Sequence, residues 1–132
     1  MLEADSDPRR NDVVTVALSQ VGTPYLWGGG SPVIGFDCSG LVAYVFQQAL
    51  HMNLPRVSYD QARLSRSVTD DDLRAADLLF YNTLKREFSH VGIYIGHARF
   101  VHAPAAGAFV RIERMTGEYW RARYNGARRV LA

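Results

Sequence analysis

The sequence predicts one α+β domain in which N-terminal helices pack on an antiparallel β-sheet. Two features lead to this prediction: apolar residues recur at helical spacing in the first half of the chain, and they alternate with a period of two in the second half. A length of 132 residues is enough for one hydrophobic core and hardly for two. We therefore expect a disordered polar segment over residues 1–10 and a single folded domain over residues 11–132.

Three helices are predicted in the first half of the chain. The first covers residues 12–21, where five apolar residues share one helical face, and Gly22 stops it. The second begins at Cys38 or Ser39 and carries an apolar stripe that is typical of a central buried helix. The third covers residues 58–64, with Ser58 as its N-cap. A Gly- and Pro-rich loop separates the first two helices, and its length is more often functional than idle.

The second half of the chain predicts five strands, at residues 78–81, 89–95, 99–103, 109–114 and 124–131. In the second strand His90 and Gly92 share one face, opposite an apolar stripe. If residues 96–98 form a three-residue hairpin loop, Gly92 pairs with His102, and the two histidines become diagonal neighbours on one face. A two-residue loop would place His102 on the opposite face. We predict the register that brings the histidines together.

The composition excludes several classes of protein. The net charge is only +2, Lys85 is the only lysine, and no zinc-finger, RNP or basic-heptad pattern is present, so no nucleic-acid partner is expected. Six arginines between residues 111 and 129 favour a solvated surface over weak attraction to an anionic polymer. The apolar runs are too short for a membrane span, and one cysteine makes neither an internal disulfide nor a multi-cysteine zinc site.

The single cysteine is the first candidate for chemistry. A lone cysteine is usually a small buried hydrophobe. Cys38, however, follows a glycine-rich loop and Asp37, and it opens a helix. The unpaired N–H groups of a helix start stabilise a thiolate, which predicts a lowered pKa of the Cys38 thiol. The same N–H groups can bind the oxyanion that forms when a thiolate attacks a carbonyl group.

A nucleophilic cysteine needs a base, which is usually a histidine. Of the four histidines, His51 and His97 are expected at a helix end and in a turn, both on the surface. His90 and His102 lie on consecutive predicted strands, and two such histidines are harder to explain as packing than one. They are therefore the candidates for the base.

Five runs of the sequence carry further motifs. The runs are TPYLWGGGSPVIGFDCSGLVAYVF, LPRVSYDQA, DLLFYN, SHVGIYIGHARFVHAP and YWRARYNGARRVL. Together they resemble the NlpC/P60 family of cell-wall cysteine peptidases, and their motifs follow the order and spacing of that family over about residues 11–131, nearly the whole chain. The resemblance implies a papain-like fold and hydrolysis of peptidoglycan stem peptides, typically between γ-D-glutamyl and a diamino acid such as meso-diaminopimelate. It also implies a stem peptide or muropeptide as partner and a periplasmic or secreted location.

The resemblance further implies roles for particular residues. Cys38 matches the nucleophile, His90 the general base, and His102 the polar residue that orients the base. Tyr25 matches a tyrosine whose hydroxyl lies near the nucleophile, and Trp27 either walls the cleft or packs as a buried tryptophan.

Four further residues match positions that contact the substrate. Asp37 and Ser39 flank the nucleophile, and Arg56 and Ser58 match a second contacting pair. Asp37 can pair with a free amino terminus, although a helix cap is the structural alternative. Arg56 can bind the α-carboxylate of a γ-linked glutamate bidentately, although a surface ion pair is the alternative.

Two other functions remain open. A non-catalytic peptidoglycan-binding module would keep the cleft without the chemistry. Zinc held by Cys38, His90 and His102 would leave one open coordination position, although no two of these residues have a local ligand spacing. We expect no metal or organic cofactor and a monomeric chain. Residues 1–11 contain no apolar segment of a secretory signal, so either the protein stays inside the cell or an export signal has been removed.

Overall fold

The computed structural model describes residues 4–64 and 66–132, in which helices lead and strands follow. The described elements, in chain order, are α1 (Pro8–Ser19), β1 (Gly30–Ser31), β2 (Gly35–Phe36), α2 (Cys38–Leu50), α3 (Ser58–Leu64), β3 (Arg66–Val68), a 3-10 turn (Asp70–Asp72), β4 (Leu78–Tyr81), β5 (His90–Gly96), β6 (Arg99–His102), β7 (Arg111–Arg114), α4 (Glu118–Arg123) and β8 (Tyr124–Arg129). Within the described ranges, no helix has both the length and the apolar character that crossing a bilayer requires.

Six of the strands form one antiparallel sheet in the order β3-β8-β4-β5-β6-β7. α1 and α2 pack together on one face, and side chains such as Phe46 and Ile93 fill the main core between helices and sheet. The opposite face carries a smaller cluster that includes Tyr81, Phe100 and Trp120. This arrangement confirms the predicted α+β fold with helices on an antiparallel sheet.

The predicted boundaries agree best for the long, periodic elements. α2 begins at Cys38, and α3 and β4 have the bounds that the sequence predicts. The elements that the sequence analysis missed are short: β1 and β2 lie inside the predicted loop, and β3 and α4 have three and six residues. Ser58, predicted as the N-cap, is the first residue of α3, and its hydroxyl donates to the Phe88 carbonyl at 2.6 Å.

The first helix begins earlier than predicted. Pro8 occupies the first helical position, which suits its fixed φ, and the side chain of Asp7 caps the helix by accepting from the Arg9 N–H at 3.0 Å. Asp5 accepts from Arg74 at 2.7 Å. The structure therefore differs from the predicted disorder of residues 1–10 over residues 5–10, and residues 1–3 lie outside the described ranges.

A buried ionic cluster fastens this first helix to the sheet. Arg10 is completely buried and contacts the carboxylate of Asp77 at 3.2 Å, while Arg129 binds both oxygens of the same carboxylate at 2.9 and 2.8 Å. Arg10 also donates to the carbonyls of Ala75 and Leu131. A buried charge requires a partner, so the carboxylate and the two guanidinium groups depend on one another.

The hairpin between β5 and β6 brings the two histidines to one face by a route that differs from the prediction. Gly96 pairs with Arg99, so the loop has two residues, His97 and Ala98, both with positive φ. A β-bulge at Ile95 shifts the register of the two strands. Beyond the bulge the strands have the predicted register, with Ile93 opposite Val101 and Tyr94 opposite Phe100. The bulge thus compensates for the shorter loop.

Candidate active site

The start of α2 is held by Asp37, the residue before Cys38. One carboxylate oxygen of Asp37 accepts from the Gly40 N–H at 2.8 Å, which is the N-cap bond, and the other accepts from the Gly28 N–H at 3.0 Å. A Cβ at Gly40 would overlap the carbonyl oxygen of Gly29. Glycine at this position therefore lets the glycine-rich loop close on the first helical turn, which places Cys38 at the first helical position.

The Cys38 thiol lies between α2 and the sheet. Its side chain is half-buried, and the backbone N–H groups of Val91 and Ser39 lie against the sulfur. Burial raises the pKa of the Cys38 thiol above its ordinary value, and these N–H groups only partly oppose that effect. The helix start taken alone predicts a lowered pKa of the Cys38 thiol, and burial reverses the sign of that shift.

The two candidate bases form a buried hydrogen-bonded pair. Nε2 of His90 lies 2.8 Å from Nδ1 of His102. Burial, and then the proximity of His102, lower the pKa of His90 well below its ordinary value. Burial also lowers the pKa of His102, against the effect of the carboxylate of Glu113. Both imidazoles are therefore neutral at pH 7, and His90 is able to accept a proton.

Glu113 on β7 extends this pair, and the sequence analysis missed it. Its Oε2 lies 3.2 Å from Nε2 of His102 and accepts from Nε of Arg111 at 3.0 Å. The hydrogen bond from His102 is the largest of the effects that lower the pKa of the Glu113 carboxyl, so the group is ionised at pH 7. Strand alternation places Arg111 and Glu113 on one face, but only the β6–β7 register shows that this face carries His102.

Trp120 on α4 covers both imidazoles from the outer side of the sheet. Its ring is stacked on His90 with centroids 5.3 Å apart, and it meets His102 edge-on at 4.8 Å. Phe100 packs against His102 at 4.7 Å. These rings exclude water from the histidine pair, which is the physical cause of the lowered pKa values. The sequence predicts no helix at residues 118–123, so Trp120 is not among the predicted site residues.

One cleft of about 670 Å³ collects most of the residues that the sequence analysis selects. Its volume is within the range of small-molecule and peptide pockets. His102 is completely buried behind His90 and does not line it. The selected residues that line the cleft are Tyr25, Trp27, Asp37, Cys38, Ser39, Arg56, Ser58 and His90.

Two charged groups of this cleft, Arg56 and Asp37, are engaged with each other. The guanidinium of Arg56 donates to Oδ2 of Asp37 at 3.0 Å, to the hydroxyl of Ser39 at 3.0 Å and to the carbonyl of Gly29 at 3.1 Å. Asp37 is therefore both the helix cap and the partner of Arg56, so the structural alternatives for these two residues are present. The Arg56 side chain remains 43% exposed, and it still faces the cleft.

The remaining cleft residues differ in exposure. Trp27 is 76% exposed, so it walls the cleft and is not a buried packing residue. Tyr25 is half-buried, and burial, with smaller contributions from Cys38 and Asp37, raises the pKa of its hydroxyl. The Tyr25 hydroxyl therefore keeps its proton at pH 7 and can donate a hydrogen bond into the cleft. Arg86, which the sequence analysis does not single out, also lines the cleft.

The geometry gives no support to a zinc site. In residues 4–64 and 66–132, no three His, Cys, Asp or Glu side chains are grouped so that they could hold a metal ion. Nε2 of His90 and Nδ1 of His102 contact each other, and the second nitrogen of His102 contacts Glu113. Only Nδ1 of His90 is left as a possible ligand of this pair.

The chain is similar to known proteins in sequence and in fold. A model of the NlpC/P60 family matches residues 22–129. Murein DD-endopeptidase MepH of Escherichia coli (strain K12) is 38% identical over 117 residues, which cover 86% of this chain and 43% of MepH. Gamma-DL-glutamyl hydrolase of Bacillus subtilis (strain 168) is 41% identical over 127 residues, which cover 94% of this chain and 30% of that protein. The crystal structure of an NlpC/P60 family protein from Bacillus cereus ATCC 10987 matches with a TM-score of 0.86 and 30% identity, covering 100% of this chain and 42% of that one.

Helices on one face of an antiparallel sheet, with a cysteine at the start of the central helix and histidines on the sheet, define a papain-like domain. This chain belongs to the NlpC/P60 family. It spans about half, or less, of the length of the curated relatives that it matches.

Proposed function

We propose that this chain is the catalytic domain of a cysteine peptidase that hydrolyses peptidoglycan stem peptides. One observation carries the proposal: Cys38, at the first position of α2, lines the same cleft as His90, which is hydrogen-bonded to a second buried histidine. The names of two relatives, a murein DD-endopeptidase and a gamma-DL-glutamyl hydrolase, support the same class of chemistry.

The proposed reaction begins with transfer of the thiol proton of Cys38 to neutral His90. Because the pKa of Cys38 is raised and that of His90 is lowered, the resting pair is neutral, and thiolate and imidazolium form together. The thiolate attacks the amide carbonyl carbon, and the oxyanion accepts hydrogen bonds from the Cys38 N–H and the Tyr25 hydroxyl. His90 then gives its proton to the leaving amine as the C–N bond breaks. Water, deprotonated by His90, hydrolyses the resulting thioester.

We propose the bond between γ-D-glutamyl and a diamino acid, such as meso-diaminopimelate, as the one that is cut. A carboxylate has about four acceptor sites, so Asp37 can bind a substrate ammonium group while it caps α2. Arg56 and Arg86 are the cations of the cleft that can bind the free α-carboxylate of a γ-linked glutamate. Ser39 and Ser58 supply hydroxyl groups, and Trp27 supplies an apolar wall.

The proposal includes the setting of the reaction. Its substrate lies outside the cytoplasmic membrane, so we propose a periplasmic or secreted protein. We also propose that the chain acts as a monomer.

Mass spectrometry of defined stem peptides tests this function. The protein is incubated with tripeptide, tetrapeptide and cross-linked stem peptides, with a parallel sample alkylated at its single cysteine. We expect cleavage after γ-D-glutamyl and none in the alkylated sample. Cleavage only at the D-alanyl cross-link would show DD-specificity and contradict the proposed bond. Binding of all the peptides without cleavage would identify the non-catalytic peptidoglycan-binding module instead.

A further inference from the structure

We propose that Glu113 is a positioning residue, which fixes the tautomers of both buried histidines and so leaves Nδ1 of His90 as the base. This inference rests on the proposed function for its catalytic consequence. The hydrogen-bonding pattern it assigns can be tested without any substrate.

The pattern follows from which atoms can donate. The ionised carboxylate of Glu113 only accepts, so Nε2 of His102, at 3.2 Å, carries the hydrogen. His102 is neutral, so its Nδ1 has no hydrogen and accepts. Nε2 of His90, at 2.8 Å from that nitrogen, must then carry the hydrogen of this contact. The nitrogen of His90 that is left without a hydrogen is Nδ1, and only an unprotonated nitrogen can take the proton of Cys38.

The contact between His102 and Glu113 differs from a surface ion pair because one of its partners is buried. His102 is completely buried, and a buried N–H without an acceptor is costly. The contact with Glu113 satisfies Nε2 of His102 on the side of β7. Arg111 holds the same carboxylate oxygen from the solvent side at 3.0 Å, which fixes the orientation of Glu113.

The charge of Glu113 also matters once the proton has moved. When His90 becomes an imidazolium, its Nε2–H donates to His102, whose Nε2–H donates to the carboxylate. The negative charge stabilises the imidazolium through two hydrogen bonds in a site that aromatic rings keep dry. Arg111 and the phenol of Tyr81 also face this relay, and burial raises the pKa of Tyr81, so its phenol is uncharged at pH 7.

Nitrogen NMR of the histidine side chains in the substrate-free protein is the primary test. Protonated and unprotonated ring nitrogens have different ¹⁵N shifts and couplings. We expect Nε2–H on both His90 and His102 in the unaltered protein. A spectrum with Nδ1–H on His90 would overturn the proposal by itself.

Two variants of Glu113 separate the effect of its acceptor oxygen from the effect of its negative charge. Glu113→Leu removes the acceptor, which allows His102 to carry its hydrogen on Nδ1 and His90 to carry its own on Nδ1, where it could no longer accept a proton. We expect mixed tautomers and a kcat lower by about 10- to 100-fold, on the scale of a hydrogen bond to a charged group. KM should stay within about twofold, because Glu113 does not line the cleft. Glu113→Gln keeps an acceptor oxygen, so it should keep both tautomers and a kcat between those of the other two proteins.

Matched controls use Glu118, an exposed glutamate at the start of α4. Glu118→Leu and Glu118→Gln should leave both tautomers and kcat unchanged. If Glu113→Leu keeps both the tautomers and the kcat of the unaltered protein, the proposal is overturned. If no stem peptide is hydrolysed by the unaltered protein, the proposed function fails while the spectra still decide the role of Glu113. Should Glu113→Leu not fold, the spectra of the unaltered protein and of Glu113→Gln decide it.

Discussion

Replacing Asp77 with asparagine is predicted to destabilise the fold strongly. The substitution keeps the size of the side chain but removes the negative charge that lies between Arg10 and Arg129, which are 0% and 6% exposed at their side chains. One carboxylate contacts both guanidinium groups, at 3.2 Å for Arg10 and at 2.9 and 2.8 Å for Arg129. Removing one partner of a buried ion pair leaves an uncompensated charge, which costs about 3–5 kcal/mol. This is a large part of the total stability of a small domain, about 5–15 kcal/mol.

The same cluster supplies a matched control. Asp72 also contacts Arg129, at 3.3 Å, but its side chain is 67% exposed. Asp72→Asn should therefore cost only about 0–1 kcal/mol, as exposed ion pairs do. Urea unfolding followed by circular dichroism gives the free energy of unfolding of both variants. A loss for Asp77→Asn that is within about 1 kcal/mol of the loss for Asp72→Asn would refute the argument that burial sets the cost.

Three further predictions concern the site. Gly92→Ala places a Cβ 2.6 Å from a ring carbon of Phe100 and 3.3 Å from Cβ of His102. This overlap should destabilise the protein by about 1–3 kcal/mol and lower kcat. An unchanged melting temperature together with an unchanged kcat would contradict this prediction. Protonated His90 cannot accept the thiol proton, and the pKa of His90 is lowered below the ordinary histidine value of 6.5. On the acid side, kcat/KM should therefore fall only below pH 6.5. An acid-side midpoint above pH 6.5 would count against His90 as the base. Arg56→Gln and Arg86→Gln test which arginine binds the α-carboxylate of the substrate. The variant that removes this contact should raise KM for stem peptides with little change in kcat. An unchanged KM in both variants would exclude both arginines from that role.

The sequence predicts the central helix and the paired histidines because strong periodic patterns set both. The apolar stripe of α2 fixes its start at Cys38, and Asp37 before it is a favourable cap. The alternation of β5 fixes the face of His90, opposite the core. The face of His102 is also predicted correctly, but the length of the loop between β5 and β6 is not. A two-residue turn with a bulge at Ile95 gives the same strand pairing as the expected three-residue loop.

The remaining features depend on contacts between distant segments, which local patterns do not contain. The first turn of α1 is fastened to the sheet by Arg10, which contacts Asp77, 67 positions later in the chain. The raised pKa of Cys38 comes from burial under the sheet, which outweighs the local effect of the helix start. Glu113 and Trp120 join the histidine pair only after the β7 register and α4 are known.

The proposed function requires that the sulfur of Cys38, with His90 as its base, performs peptide hydrolysis in this cleft. The most direct measurement is the rate of stem-peptide cleavage by Cys38→Ala and His90→Ala, each checked for an unchanged melting temperature. We predict no cleavage above the rate in buffer for Cys38→Ala and a loss of at least about 100-fold for His90→Ala. Cleavage by folded Cys38→Ala at the rate of the unaltered protein would contradict the account.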